Sequence, residues 1–418
     1  MTVIGVTALL LGLSQWGGED ASAGARLYGR VETSDGGVVE GYLRWDGNEG
    51  SLHDFLDGAK EVPREILREA ERLDPAFGRE MRRRRSLEAF GVRLTWDEDD
   101  LSPPPRVPSS IRLARVSEIR ILDARRARVV LRDGDEIELH GSTTDIGVSM
   151  RGLVVIPVDG PPVTIEWEEL ERVELRPAPS SSPVEVEPRL FGTLRTVDGL
   201  EVTGLVSWDL DEAFPSDVLD GRENGVDRAI PFSDIASIRP VDDRSAQVTL
   251  RSGGRLRLSG TNDVDHRNRG IEVVEPDLGR IVVSWADLDE IRFVEGGRVG
   301  RVGPPEVAVQ GPLRGTVYAR DGRVLEGAIR WGHDEDRVWE LLDGRMDGAE
   351  IGIEMARIRE IRPDGDEGAL VTLLDGRTLR LHGTDDVGGS HRGIYVTPET
   401  GARRFVRWQD LARVTFAG

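Results

Sequence analysis

The sequence contains no cysteine among its 418 residues. This absence excludes disulfide bonds, thiolate nucleophiles, thiolate metal sites and a lipid anchor on cysteine. It leaves the redox compartment open, because a cysteine-free chain can fold in any compartment. Lysine is nearly absent as well, since Lys60 is the only lysine among 55 basic residues. We interpret the arginine excess as the codon usage of a GC-rich genome rather than as adaptation to salt or heat.

Positive charge is scarce relative to negative charge, and the formal net charge is −21 at pH 7. A chain of this charge repels polyanions, so nucleic acid and anionic membrane surfaces are disfavoured as partners.

Long apolar runs are missing too. The run at residues 3–13 is too short to cross a membrane, and the small residues Ala21-Ser22-Ala23 follow it. Residues 1–23 are therefore predicted to be a signal peptide, although no basic residue precedes Arg26. We expect an exported chain, periplasmic or extracellular, with no transmembrane segment after cleavage. The alternative is a cytoplasmic protein with an apolar N-terminus.

What the sequence does contain is a threefold internal repeat. The motif W-x3-E-x4-[DE]-x-L-D-G begins at Trp45, Trp208 and Trp331, and a D-[IV]-x4-R-G-[IL] segment follows each copy. Self-similarity on this scale decides the architecture before any local pattern does. We name residues 24–176 unit 1, residues 189–295 unit 2 and residues 312–418 unit 3. The Pro/Ser-rich residues 177–188 and the Gly/Pro-rich residues 296–311 are predicted linkers.

Each unit divides into two halves of similar pattern. A D-G turn flanked by alternating apolar and polar residues predicts two strands joined tightly. Each half ends on four apolar residues spaced 2, 3 and 3 apart, as at Ile111, Leu113, Val116 and Ile119. A strand, one helical turn and a second strand would bury all four. The predicted fold class is therefore all-β, with three tandem units that each pair two small barrel modules.

Unit 1 carries an insertion at about residues 59–110. Apolar residues three or four apart predict helices over 63–73 and 75–90, separated at Asp74-Pro75. The basic residues 82–85 lie in the second of these helices. We interpret them as a solvated face that pairs with nearby acids, the alternative being contact with an acidic partner or an anionic lipid.

This strand pattern resembles the small barrels of the Sm-like and Src-homology-3-like classes. Residues 192–238 carry the resemblance best, with G-x-L-x3-D-G, then G-x-V-x-W-D, then I-P-F-x-D-I-x2-I. The resemblance implies a fold and no function. An Sm-like RNA site would need basic and aromatic loop residues, whereas the matching loops here are acidic.

The best candidate for binding is an aspartate and an arginine six residues apart in every unit. These pairs are Asp145 with Arg151, Asp263 with Arg269, and Asp386 with Arg392. A guanidinium held by a carboxylate can present its remaining donors to an anionic or carbonyl ligand. The competing interpretation is that Asp caps the loop and Arg clamps it, as a long irregular connection requires.

Two further sets recur in every unit. Three carboxylates follow each tryptophan of the motif and are candidate Ca²⁺ ligands, although a solvated acidic hairpin is the favoured interpretation. They are Glu49, Asp54 and Asp57; Glu212, Asp217 and Asp220; and Glu335, Glu340 and Asp343. The motif tryptophans Trp45, Trp208 and Trp331 end a strand, so we expect partial exposure and a possible ligand contact. Trp167, Trp285 and Trp408 occupy core positions.

No sequence motif for catalysis, phosphate binding or dinucleotide binding is present. We therefore expect a non-catalytic binding or scaffolding protein of the cell envelope, without a cofactor, whose partner is a protein or an envelope polymer. Repeated loops would give such a protein avidity. One alternative is a hydrolase that uses carboxylates in one diverged unit. The other is a purely structural spacer.

Overall fold

The computed structural model describes residues 25–73, 86–89, 92–95, 106–179, 186–294 and 309–417, with single positions 305 and 307. Within these ranges the chain is all-β, with antiparallel strands and one α-helix. The predicted fold class is confirmed at this level. The predicted signal peptide, the basic residues 82–85, residues 180–185 of the first linker and most of the second linker lie outside the described residues.

The described residues of unit 1 form twelve strands and the helix α1 (Arg64–Leu73). The strands are β1 (Tyr28–Thr33), β2 (Val38–Arg44), β3 (Phe55–Glu61), β4 (Ser86–Ala89), β5 (Val92–Thr95), β6 (Arg106–Arg112), β7 (Val116–Asp123), β8 (Arg126–Leu131), β9 (Glu136–His140), β10 (Leu153–Pro157), β11 (Val163–Ile165) and β12 (Leu170–Leu175). Ten of them form one sheet in the order β11-β10-β2-β1-β12-β7-β8-β9-β3-β6.

Units 2 and 3 each form ten strands in the parts that the structure describes. Unit 2 has β13 (Phe191–Thr196), β14 (Glu201–Ser207), β15 (Val218–Glu223), β16 (Val226–Pro231), β17 (Ile235–Asp242), β18 (Ser245–Leu250), β19 (Arg255–Ser259), β20 (Ile271–Glu275), β21 (Gly279–Val283) and β22 (Leu288–Phe293). Unit 3 has β23 (Arg314–Ala319), β24 (Val324–Trp331), β25 (Leu341–Met346), β26 (Ala349–Glu354), β27 (Ile358–Pro363), β28 (Gly368–Leu373), β29 (Thr378–His382), β30 (Ile394–Thr397), β31 (Arg404–Val406) and β32 (Leu411–Phe416).

The strand pairings follow the same order in all three units. Unit 2 pairs as β21-β20-β14-β13-β22-β17-β18-β19-β15-β16. Unit 3 pairs as β31-β30-β24-β23-β32-β27-β28-β29-β25-β26. All neighbouring strands are antiparallel, which allows those that follow each other directly in the sequence to be joined by tight turns.

The expectation of two closed barrels, one for each half of a unit, is wrong. The hairpin β3–β6 comes from the first half of unit 1 but continues the sheet from β9 of the second half. The hairpin β10–β11 comes from the second half but continues the sheet from β2. Each half therefore contributes one strand pair to the sheet region formed by the other half. The end strands β11 and β6 do not pair with each other, so the sheet does not close. Alternation reveals which face of a strand is buried, but it does not identify the partner strand.

Units 2 and 3 are joined into one 20-stranded sheet by pairing of β21 with β26. Glycine permits this approach. A Cβ added to Gly279, whose φ is +143°, would lie 2.2 Å from the carbonyl oxygen of Gly352 on the facing strand. The core cluster of these two units is continuous across the pairing.

The spacing of 2, 3 and 3 has the predicted structure. Ile111, Leu113, Val116 and Ile119 are each 0% exposed. Leu113 begins a single 3-10 turn, which separates the strand that carries Ile111 from the strand that carries Val116 and Ile119. Equivalent turns are Trp167–Glu169, Phe232–Asp234, Met355–Arg357 and Trp408–Asp410. This spacing therefore places one side of each strand in the core on both sides of the turn.

The insertion of unit 1 matches the prediction in its first part only. The helix α1 confirms the one predicted over 63–73. The second predicted helix does not extend to residue 90, because β4 pairs with β5 in a separate two-stranded sheet. Residues 74–85 of that prediction lie outside the described residues. Among the described residues, α1 included, no helix has the length and apolar character to span a membrane.

Candidate functional site

The recurring aspartate of each unit is bound to the third strand of the same unit. The carboxylates of Asp145, Asp263 and Asp386 each accept a hydrogen bond of 2.7 Å from a backbone N–H, and the donors are Asp57, Asp220 and Asp343. A threonine two residues earlier donates its hydroxyl to the carbonyl of the same strand residue, and these threonines are Thr143, Thr261 and Thr384. The loop aspartate therefore fixes the loop to the strand.

The motif tryptophans complete this connection from inside the core. The indole N–H of Trp45, Trp208 and Trp331 donates to the carbonyl of the loop aspartate at 2.9, 3.0 and 3.0 Å. All three side chains are 0% exposed, so the expected partial exposure is wrong. Each ring packs edge-on against the core tryptophan near the end of its unit, with centroids 6.5, 6.3 and 6.0 Å apart, and these partners are Trp167, Trp285 and Trp408. A buried indole needs a hydrogen-bond acceptor, and the loop carbonyl supplies it.

The recurring arginines do not pair with the recurring aspartates. In unit 1, the Arg151 guanidinium donates to Asp46 at 2.8 Å and to Asn48 at 3.0 Å. In unit 2, Arg269 donates to Asp209 at 3.0 Å and to Asp211 at 3.1 Å. Arg151 also contacts Asp211, so the loops of units 1 and 2 meet at this carboxylate.

Unit 3 departs from this arrangement. Gly332 stands where units 1 and 2 have Asp46 and Asp209, and Arg392 bonds Asp385 at 3.3 Å instead. The Arg392 side chain is 12% exposed, whereas Arg151 is 39% and Arg269 51% exposed. The three arginines therefore do not form three equivalent surface sites.

The residue after each motif tryptophan was missed by the sequence reasoning. Asp46, Asp209 and Gly332 all have left-handed backbone, with φ of 49°, 53° and 63°. This conformation is uncommon for residues other than glycine, asparagine and aspartate, and it closes the short loop between the tryptophan and the glutamate of the motif. The available signal was that aspartate or glycine, both tolerant of this region, follows every motif tryptophan.

The middle acid of each carboxylate set caps its own loop. Asp54 accepts backbone N–H groups of the residues three and four positions earlier, at 2.8 and 2.9 Å. Asp217 does the same at 2.8 and 2.7 Å, and Glu340 accepts the N–H of Arg337 at 2.7 Å. Among the residues that the structure describes, no group of three acidic or histidine side chains has an arrangement suited to a metal ion. The middle acid of each set therefore acts as a loop cap.

The first acid of each set is a glutamate with an enclosed carboxyl oxygen. The Oε2 atoms of Glu49, Glu212 and Glu335 are buried and have no hydrogen-bond partner within the described parts of the chain. Burial, together with a nearby carboxylate, raises the pKa of Glu212 to about 8 and that of Asp263 to about 6. Burial likewise raises the pKa values of Glu49 and Glu335 well above the usual range. A buried carboxyl without a cation is more stable when it carries its proton.

Comparisons with known proteins add no family. No family model matches the chain, and no curated protein matches it. Among solved structures, the chain is aligned with the Helicobacter pylori beta clamp bound to a DNA ligase peptide, at 6% identity over 86% of this chain and 99% of that chain. The TM-score is 0.11, which supports neither a shared fold nor a shared function.

Proposed function

We propose that the chain is a non-catalytic binding or scaffolding protein of the cell envelope, built from three tandem units that each combine two Sm-like halves. The observation that carries the proposal is the difference in burial between the recurring residues. The buried tryptophans and loop aspartates bond within the core of each unit, whereas the side chains of Arg151 and Arg269 are 39% and 51% exposed. Export by residues 1–23 belongs to the same proposal.

The binding surface that we propose consists of Arg151, Arg269 and Asp211, and we call it the two-arginine surface. Each arginine forms an ion pair with a buried aspartate, Arg151 with Asp46 (1% exposed) and Arg269 with Asp209 (0% exposed). A guanidinium fixed in this way still has outward N–H donors for a carbonyl or carboxylate group. The partner would therefore be a protein or an envelope polymer that presents such acceptors, engaged at the contact between units 1 and 2.

A comparison of capture from an envelope lysate tests this proposal. The baits are the wild type, an Arg151→Ala/Arg269→Ala variant and an Arg222→Ala/Arg228→Ala control. The control also removes two exposed arginines of unit 2 that pair with carboxylates. We expect one partner to be retained by the wild type and the control and lost by the first variant, with equal melting temperatures. Equal capture by all three baits would contradict a role for this surface.

A structural spacer is the second candidate. It is favoured by the number of recurring residues that bond only within their own unit, since such residues serve folding. A spacer predicts that the two-arginine surface can be altered without any loss of capture. The same three baits therefore separate the two candidates.

A further inference from the structure

A small cavity lies between units 1 and 3. Its volume is about 30 Å³, and both units contribute residues to its wall. The wall consists of Lys60, Pro108, Ser109 and Ser110 from unit 1, and Glu335, Trp339, Glu340, Leu341 and Asp343 from unit 3. It is therefore formed by β3 and β6 of one unit and by β25 and the segment before it of the other.

Polar atoms of this wall are buried without protein partners. Glu335 Oε2, Trp339 Nε1 and Asp343 Oδ1 have no hydrogen-bond partner in the described residues. Glu335 is 8% exposed and Trp339 is 3% exposed. An ionised carboxylate in such a position is costly, whereas a protonated carboxyl is far less so.

The cations at the junction are engaged with other acids. The Lys60 ammonium bonds Glu340 and a backbone carbonyl, and it lies 5.7 Å from the centre of the Trp339 ring. The Arg280 guanidinium bonds Asp57 at 2.8 Å and also contacts Glu272. The charged groups that face Glu335 are Asp334, Glu340, Asp386 and Lys60, and those that face Asp343 are Asp57, Asp334, Glu350 and Arg280. Acids outnumber cations around both carboxyls.

A second contact holds the same two units together in a different way. Glu354 of unit 3 accepts hydrogen bonds from Arg112 at 2.9 Å and from Arg115 at 2.6 Å, both of unit 1. The Arg112 and Glu354 side chains are 0% exposed. These arginines lower the pKa of Glu354 to about 2, so its carboxylate stays ionised through the neutral and alkaline range.

We propose that the junction between units 1 and 3 is controlled by protons: it is closed while Glu335 and Asp343 are protonated, and it opens around the cavity when they ionise. The ion pairs of Glu354 with Arg112 and Arg115 persist during this change, so the two units stay in contact at that point while the cavity opens. Ionisation would place two further negative charges in a wall whose cations are already paired. Repulsion and the gain of hydration would then draw water into the cavity and separate β3 from β25.

The direction of the pH dependence follows from the same burial. Burial raises the pKa of Asp343 to about 8 and that of Glu335 well above its usual range. The closed junction therefore binds protons that an open junction releases, so closure is fully favoured at acidic pH and is lost as the pH rises through about 8. This inference concerns the movement of the units and does not depend on the proposed partner.

Hydrogen–deuterium exchange of the full chain at pH 6 and pH 9 tests the proposal, with labelling times scaled to the intrinsic exchange rate. We expect protection of Phe55–Glu61 and Leu341–Met346 to fall by about tenfold or more at pH 9, because opening grows with each pH increment above the pKa. Strands Ile235–Asp242 and Ser245–Leu250 do not line the cavity and serve as the internal reference, so they should lose markedly less protection than the two junction strands.

Two variants locate the effect. Glu335→Gln/Asp343→Asn should keep the pH 6 protection of both strands at pH 9. Glu212→Gln alters the equivalent glutamate of unit 2, which does not line this cavity, and should leave the junction response as in the wild type. Unchanged wild-type protection between the two pH values would overturn the proposal, whether or not the double variant folds. A wild-type response in the double variant would overturn it as well.

Discussion

Replacement of Glu212 by glutamine should make the chain more stable at alkaline pH. The carboxyl of Glu212 is largely enclosed, and burial raises its pKa from 4.5 to about 8. Between these two values the folded chain binds more protons than the unfolded chain, so the free energy of unfolding decreases as the pH rises. The contribution is fully present below pH 4.5 and is lost as the pH passes about 8.

The size of this change in unfolding free energy follows from the pKa shift of Glu212. A pKa change from 4.5 to about 8 corresponds to at most about 5 kcal/mol between the two protonation states. Glu212 retains some contact with solvent, and screening reduces the expected effect to about 2–4 kcal/mol. Glutamine preserves the shape of the protonated acid but cannot ionise. The variant should therefore match the wild type near pH 5 and exceed it by about 2–4 kcal/mol at pH 9.

Urea unfolding of both proteins at pH 5, 7 and 9 measures this difference. Glu201→Gln is the matched control, because it removes one glutamate charge from an exposed position of the same unit. Its stability should follow the wild type at every pH. Parallel pH profiles for Glu212→Gln and the wild type would refute the reasoning, since they would mean that Glu212 titrates in the folded chain as it does in the unfolded chain.

Three other substitutions have defined outcomes. Trp208→Phe should lower the unfolding free energy by about 1–3 kcal/mol in urea titrations, because it leaves a buried loop carbonyl without its 3.0 Å donor; no loss would contradict the role of the indole N–H. Glu354→Gln should cost about 3–5 kcal/mol at pH 7, because Arg112 and Arg115 remain buried without their carboxylate. The wild type should lose this same contribution as the pH falls from 4.5 towards 2, and calorimetry at a series of acidic pH values would detect it. Gly279→Ala should disrupt the strand pairing between units 2 and 3, seen as faster deuterium exchange there, since its Cβ would lie 2.2 Å from a facing carbonyl oxygen.

Local patterns predicted local structure well. The spacing of Ile111, Leu113, Val116 and Ile119 depends only on the residues themselves, and the core contains all four. The helix predicted over 63–73 follows from apolar residues spaced three or four apart, a pattern that lies entirely within that short segment. In contrast, the exchange of hairpins between the halves of a unit depends on which distant strand offers an edge, and alternation contains no such information.

The sequence identified the residues of the candidate site but not the contacts between them. The recurrence identified Asp145, Arg151 and their equivalents, and the structure places them in the same loops. In units 1 and 2 the structure does not pair them, because a left-handed aspartate next to the motif tryptophan bonds the guanidinium instead. In unit 3, where Gly332 replaces that aspartate, Arg392 bonds Asp385. The burial of the motif tryptophans was also missed, since a strand end is usually partly exposed and only the indole bond to the loop carbonyl explains the enclosure.

The exchange of hairpins has a consequence for synthesis of the chain. As unit 1 emerges, Phe55–Glu61 and Arg106–Arg112 can form a hairpin, but its place in the sheet is open until Glu136–His140 has been made. Likewise one edge of Val38–Arg44 stays unpaired until Leu153–Pro157 has been made. No fragment that ends halfway through a unit has a complete set of strand neighbours, so such fragments expose unpaired edges that favour aggregation. The smallest piece of this chain that can be expected to fold and be handled alone is therefore a whole ten-stranded unit.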